Sequence, residues 1–367
     1  MALEVRGSMS EGGGGAVLAA MREQWASMIG MATMFVSTIL IGLSIQPIYN
    51  IPEARAFGEE GASKGAYVAL ELAMIGVFTV AIIWLARRNK DLFIKLIVYF
   101  ALAMSLFYAL QPYIALTLWL ADLDTMDAVV GLSFFSSIGL MYLLYKFPEW
   151  YVVNGVGILV GAGVITLIGV SFVPVLIIGF MIAAAIYDYW AVNGSKHMLE
   201  LADTMIGLKL PVLLVAPKSA NYSFIEEEDS VMSDVRDGTG KMDWEDPVPH
   251  LESSKVKKGG RDALFMGLGD VIFPGMLVIS SVSFLPQTGA EITYFSAFGV
   301  MYSDPLIVGL GTLIGGLLGY FALMTQVAMG KPQAGLPLLN GGSILGYLVS
   351  GYFALGIGDL WQDITFF

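Results

Sequence analysis

Asp188 and Asp270 are the two residues through which this chain can do chemistry. Asp188 lies in Ala183-Ala184-Ala185-Ile186-Tyr187-Asp188-Tyr189-Trp190, and Asp270 in Phe265-Met266-Gly267-Leu268-Gly269-Asp270-Val271-Ile272. Both stretches are otherwise apolar. A carboxylate inside a membrane segment costs roughly 2.5–3.5 kcal/mol on insertion scales, so it marks a functional site by default. The two depths also match. Asp188 stands eight residues before Lys196, the first charge after its segment, and Asp270 stands nine residues after Arg261, among the last charges before its own. At a helical rise of about 1.5 Å per residue, both sit roughly 12–14 Å from the same membrane face on antiparallel neighbours. Two carboxyl groups in low dielectric cannot both ionise cheaply, so such a pair holds one proton between them. The ionised member can draw a proton from a water that attacks a carbonyl carbon. The protonated member can donate to the carbonyl oxygen and then assist the leaving amine. Either aspartate fits either role.

The elements that position them must be membrane spans. Hydrophobic residues make up 56% of the 367-residue chain and charged residues 14%, with a mean hydropathy of +0.73. Soluble domains are about a quarter charged. A spanning helix needs ~20 predominantly apolar residues. By that criterion the fold class is an all-α polytopic membrane protein with about nine transmembrane helices: Trp25–Ile48, Ala66–Leu85, Leu92–Leu118, Met126–Tyr145, Val152–Val170, Val173–Val192, Ala263–Leu285, Leu306–Ala328 and Leu336–Leu355. Gln111-Pro112 interrupts the third, which is expected to kink there or end early. Basic residues cluster in alternate connections: Arg87-Arg88-Asn89-Lys90, Lys146, the long loop from Lys196 to Arg261, and Lys331. That bias places the N-terminus in the cytoplasm and the C-terminus outside. The net charge of −12 reads as solvated acidic loops, and nothing in it points to nucleic acid. Without cysteine, disulfide and thiolate chemistry are excluded. No N-terminal signal peptide is apparent.

Four regions follow from this pattern. Residues 1–15 read as a tag or disordered N-terminus, with Met1–Ser8 resembling a cloning remnant and Met9 the natural start. Residues 16–194 hold helices one to six, 195–262 form a hydrophilic cytoplasmic loop, and 263–367 hold helices seven to nine. Within the loop, Ser195–Leu208 has the spacing of an amphipathic interfacial helix. Lys209–Pro217 is too short to span, is β-branched and is bounded by prolines, so it reads as an extended edge segment or as an apolar stretch lying on the membrane. Ser219–Gly260 is polar and reads as a flexible linker.

Tyr187-Asp188 in one helix, followed by Gly267-Leu268-Gly269-Asp270 opening the next, resembles the Tyr-Asp and Gly-x-Gly-Asp signature of presenilins and signal peptide peptidases, most closely their archaeal homologues. In that family a Pro-Ala-Leu motif opens the last helix beside the active site. Here Ala334-Gly335-Leu336 stands at that place, and Pro337 follows rather than leads. The resemblance covers the nine-span frame and the hydrophilic loop. It implies an intramembrane aspartyl endopeptidase in the cell membrane, with Asp188 and Asp270 catalytic. Tyr187, Gly267, Leu268, Gly269, Ala334, Gly335, Leu336 and Pro337 would line the active site. Its partners would be transmembrane peptide substrates and the lipid bilayer, and it implies no metal and no cofactor.

The remaining residues agree with that expectation. A metalloprotease of the His-Glu-x-x-His type is closed off, because the only histidines, His197 and His250, lie in the hydrophilic loop. Gly267 and Gly269 would let backbone, water and substrate approach Asp270. Tyr187 or Tyr189 is either a hydrogen-bonding group of the site or an aromatic packing residue. Asn154 and Asn340 near span ends read as capping or helix-contact residues, with Asn340 also a candidate lining residue. Glu71 snorkels or gates. Gly309 to Gly319 reads as a helix-packing face. A substrate helix must unwind to expose its scissile bond, and its freed backbone groups need partners. Leu210–Val215, Asp262–Met266 and the backbone around Leu336-Pro337 are candidate edges for strand addition. Two other classes remain open on the residues alone. A proton-coupled transporter would use the carboxylates as a relay, and a membrane scaffold would leave them unexplained.

Overall fold

The structure, a computed structural model, describes residues 2–56, 58, 63–88, 90–123, 125–191, 213–218, 263–293, 299–327 and 334–364. Among the described residues nine α-helices run in chain order: α1 Ala2–Tyr49, α2 Gly65–Arg87, α3 Asp91–Leu120, α4 Met126–Lys146, α5 Trp150–Gly169, α6 Pro174–Trp190, α7 Leu268–Phe284, α8 Ser303–Val327 and α9 Leu336–Ala354. Two short antiparallel ribbons accompany them. β1 (Leu213–Pro217) pairs with β2 (Ala263–Gly267), and β3 (Glu291–Ile292) with β4 (Met301–Tyr302). The protein is a multi-pass membrane protein.

α5 is the central post: it packs against α1, α3, α7 and β1, and 61% of its most apolar window is buried inside the protein, against 28% for α3 and for α4. α2, α3 and α4 instead turn rows of large apolar side chains outward, including Val77, Phe100 and Phe135, as helices facing lipid must. Between helices there is little hydrophobic driving force in a bilayer, so close packing and interhelical hydrogen bonds hold the bundle. Tyr320 donates to the Met28 carbonyl at 3.0 Å, Thr166 to the Gly42 carbonyl at 2.9 Å, Ser280 to the Phe172 carbonyl at 2.6 Å, and the Gln46 amide to Ser283 Oγ at 2.9 Å. The glycine run of α8 is a packing face. A Cβ at Gly315 would run into the carbonyl oxygen of Gly342, and one at Gly319 into that of Leu338. Backbone therefore meets backbone between α8 and α9.

Four features bear on the sequence expectation. The third span neither ends nor breaks at Gln111-Pro112: α3 continues to Leu120 with Pro112 inside it. Proline removes the N–H that would close on the carbonyl four residues earlier. That carbonyl, of Tyr108, accepts a hydrogen bond from the Tyr49 hydroxyl at 2.5 Å instead. The expected span Ala263–Leu285 is a strand for its first five residues and helical only from Leu268, because β1 supplies the backbone partners that a helix would otherwise provide. β1 itself begins at Leu213, within the stretch expected to be extended. Finally, α1 is helical from Ala2 and runs through Gly12–Gly15. Extending a nucleated helix gains one hydrogen bond per residue, against a cost of about 1 kcal/mol per glycine. The expected amphipathic helix Ser195–Leu208, the linker Ser219–Gly260, His197, His250 and the side chain of Glu71 lie outside the described residues.

Candidate active site

The ends of three helices meet at the two aspartates. Asp188 sits two residues from the end of α6, Asp270 at the third position of α7, and Leu336 opens α9. Both aspartate helices are short. Each has 17 residues, which at about 1.5 Å rise covers roughly 25 Å of a hydrocarbon core about 30 Å thick. The carboxyl groups therefore stand where their helices stop, rather than in the middle of continuous spans.

One dipeptide touches both of them. The backbone N–H of Leu336 donates to Asp188 Oδ2 at 3.2 Å. A Cβ built on the neighbouring Gly335 would lie 3.4 Å from Asp270 Oδ1 and 3.4 Å from Leu323 Cδ2. Both carboxyl groups thus lie beside the Gly335-Leu336 backbone, within electrostatic reach of each other. Asp188 is buried, at 7% exposure, and Asp270 is half-buried. Pro337 occupies the first turn of α9. There its missing N–H costs nothing and its fixed φ favours helix entry.

The expected flanking residues take distinct places. Gly267 caps the start of α7 in an extended conformation, and a Cβ on it would lie 3.5 Å from Asp270 Oδ2. Gly269 faces open space: nothing lies within 4 Å of a Cβ built there. Leu268 is buried and packs toward Gly161 of α5. Ala334 is buried. Tyr187 is 44% exposed and packs its ring against Trp190, with centroids 6.2 Å apart. Tyr189 lines a shallow apolar cleft between α6 and α9 together with Met181, Ile186, Pro337, Asn340 and Ile344. Pro274, four residues after Asp270, has no N–H to return to the Asp270 carbonyl, so the helix ladder does not close there.

Two asparagines do more than cap helices. Asn340 Nδ2 donates to the Met181 carbonyl at 2.9 Å and ties α9 to α6. Asn154, on α5, holds both backbone groups of Val215: its Nδ2 donates to the Val215 carbonyl at 2.7 Å and its Oδ1 accepts from the Val215 N–H at 2.8 Å. Both are buried polar groups within apolar runs, and that local signal leaves open what they bind. Among the described residues no group of three or more His, Cys, Asp or Glu side chains could hold a metal ion. The arrangement is a pair of carboxyl groups, buried and half-buried, in the last described turn of α6 and the first turn of α7, beside a two-stranded ribbon.

Comparison with known proteins is consistent with this geometry. Residues 31–357 match the family described as signal-peptide peptidase, presenilin aspartyl protease. Two solved structures of a presenilin family intramembrane aspartate protease, in C222 and P2 space groups, are both 27% identical to the chain. The first gives a TM-score of 0.56 over 89% of this chain and 99% of that one, and the second 0.55 over 90% and 100%. No curated protein gives a match. None of these comparisons supports a transporter. With a match spanning most of its length, the chain belongs to the signal peptide peptidase and presenilin family of intramembrane aspartyl proteases.

Proposed function

We propose that Asp188 and Asp270 are the catalytic pair of this endopeptidase, hydrolysing peptide bonds within transmembrane segments of membrane proteins or signal peptides. The observation that carries the reading is the Gly335-Leu336 backbone, which touches both carboxyl groups. The pair holds one proton between its members. The ionised carboxylate takes a proton from water as the water adds to the scissile carbonyl. The protonated partner donates to the carbonyl oxygen, and a proton then passes to the leaving amine. Leu336 N–H orients Asp188. Gly335 and Gly267 keep side-chain bulk away from Asp270. The open face at Gly269 is the approach for substrate backbone. The β1–β2 ribbon, running straight into the first turn of α7, offers backbone groups to a locally unwound substrate. The membrane is the cell membrane, with the site in its cytoplasmic half.

The test is cleavage of a generic single-span substrate in detergent without any gradient, comparing the chain with Asp188→Ala and Asp270→Ala. Each variant is expected to lose at least ~100-fold in rate while its thermal melt and helical content stay those of the parent. Full activity in either folded variant removes that residue from the chemistry.

A further inference from the structure

β1 makes polar contacts beyond its pairing with β2, to α5 and α1. In an antiparallel ladder a residue's N–H and C=O face the same side, and successive residues alternate between partner strands. Val215 spends both groups on Asn154, so its side of β1 is occupied as a neighbouring strand would occupy it, by one amide side chain. Asn154 is buried, at 6% exposure. The same face of α5 carries two more contacts at helical spacing. A Cβ on Gly157 would lie 3.1 Å from Leu214 Cδ2, and one on Gly161 3.1 Å from Leu268 Cδ1. Residues 154, 157 and 161 thus touch, in order, the middle of β1, its preceding residue and the first residue of α7. A second anchor comes from α1, where Ser27 Oγ donates to the Pro217 carbonyl at 3.1 Å.

We propose that Asn154 is a positioning residue: it seats the β1–β2 ribbon against α5 and closes the outer edge of β1, and so sets the height at which a substrate strand presents its bonds to Asp270. The physical reason is leverage. β2 is continuous with α7, and Asp270 lies three residues beyond Gly267, the last residue of the strand. A ribbon that slides along α5 moves every backbone group it offers relative to the carboxyl pair. Packing of the Leu214 side chain against Gly157 is apolar and non-directional and does not resist sliding. The two-point amide contact does, because it is satisfied at one residue only, and an unpaired buried amide is costly. The effect on cleavage rests on the proposed catalytic site, but the seating of the ribbon is measurable without cleavage.

The chain has no cysteine, so introduced pairs report position cleanly. A Cβ built at Gly30 lies 3.9 Å from Ala216 Cβ, inside the roughly 3.5–4.5 Å range a disulfide needs. In the full-length chain, Gly30→Cys with Ala216→Cys is expected to cross-link readily. Adding Asn154→Leu is expected to slow that cross-link about tenfold. A control pair across the ribbon itself, Ala216→Cys with Leu264→Cys, whose Cα atoms are register partners, should be unaffected. An unchanged Gly30–Ala216 rate overturns the proposal. If Asn154→Leu fails to fold, Asn154→Asp retains the size and the acceptor but loses the Nδ2 donor. It should slow the same cross-link by a smaller factor, and no slowing there also overturns the proposal.

The second readout is product length. Mass spectrometry of a cleaved single-span substrate should show Asn154→Leu moving the main cleavage position by one or more residues, and the Gly30–Ala216 disulfide in that background restoring the parental position. A uniformly slower enzyme with unchanged products would show a merely structural role and refute positioning. A parental chain that cleaves nothing would refute the catalytic reading, while the cross-link rates still decide the seating.

Discussion

A glycine beside the carboxyl pair sets the steric limits at the site. At Gly335 a methyl group would already sit 3.4 Å from Asp270 Oδ1 and from Leu323 Cδ2, in van der Waals contact with both and with no room for a larger branch. Gly335→Val adds branched bulk between Asp270 and the backbone that binds Asp188. It is expected to lower cleavage at least ~tenfold, with the melting temperature within a few degrees of the parent. Gly269 is the contrast. A side chain there meets nothing in the structure, so Gly269→Ala should leave the fold intact, and a raised KM without a change in melting would mark the face where substrate arrives. These two glycines belong to the same signature stretch or its neighbour, yet the reasons for their small size differ: one is confined and one is open. Composition and spacing treat them alike, because a sequence shows that a Cβ is absent and not what it would have met.

At the scale of elements, the ends of α6 and α7 and the ribbon between them form one device. α7 starts only at Leu268, and the strand pair satisfies the backbone that a longer helix would have satisfied. Leu214 is fully buried in β1, opposite Met266. Leu214→Pro removes a ladder N–H and should depress cleavage at least ~tenfold. Far-UV circular dichroism should show the helical bundle retained, and unchanged cleavage would count against a role for the ribbon in binding substrate. The α8–α9 contact tests the frame instead. Gly315→Leu forces a side chain into the backbone of α9 at Gly342. It should destabilise the bundle by about 1–3 kcal/mol or more, visible as a lower melting temperature in detergent. Because α9 carries Leu336 to Asp188, cleavage should fall with it.

The whole molecule is a bundle built around α5, with α2, α3 and α4 toward lipid and the aspartate helices on the other side of the post. Nine crossings would place the two ends of the chain on opposite faces, and from the basic residues between alternate spans we propose a cytoplasmic N-terminus. A reporter fused before α1 is expected to be active in the cytoplasm, and one fused after α9 only outside. Signals on the same side for both ends would exclude nine crossings.

By itself the sequence determined that the chain crosses a membrane many times, where most of those crossings lie, and which two ionisable residues stand inside them. These are local properties. Hydropathy over ~20 residues and the cost of a charge in hydrocarbon are written into contiguous segments, and the helix limits observed differ from the expected spans by only a few residues, except at the start of α1 and where β2 replaces the start of one span. The fold class and the family followed from those segments. Only the tertiary structure decided which backbone lies beside the carboxyl groups, which strand pairs with Ala263–Gly267, and what Asn154 holds. Each of those facts joins residues far apart in the chain: Asp188 to Leu336, Val215 to Phe265, and Asn154 to Val215. A polar residue in an apolar run announces that it needs a partner, because its burial is costly without one. The choice of partner depends on how the helices cross, and packing supplies that.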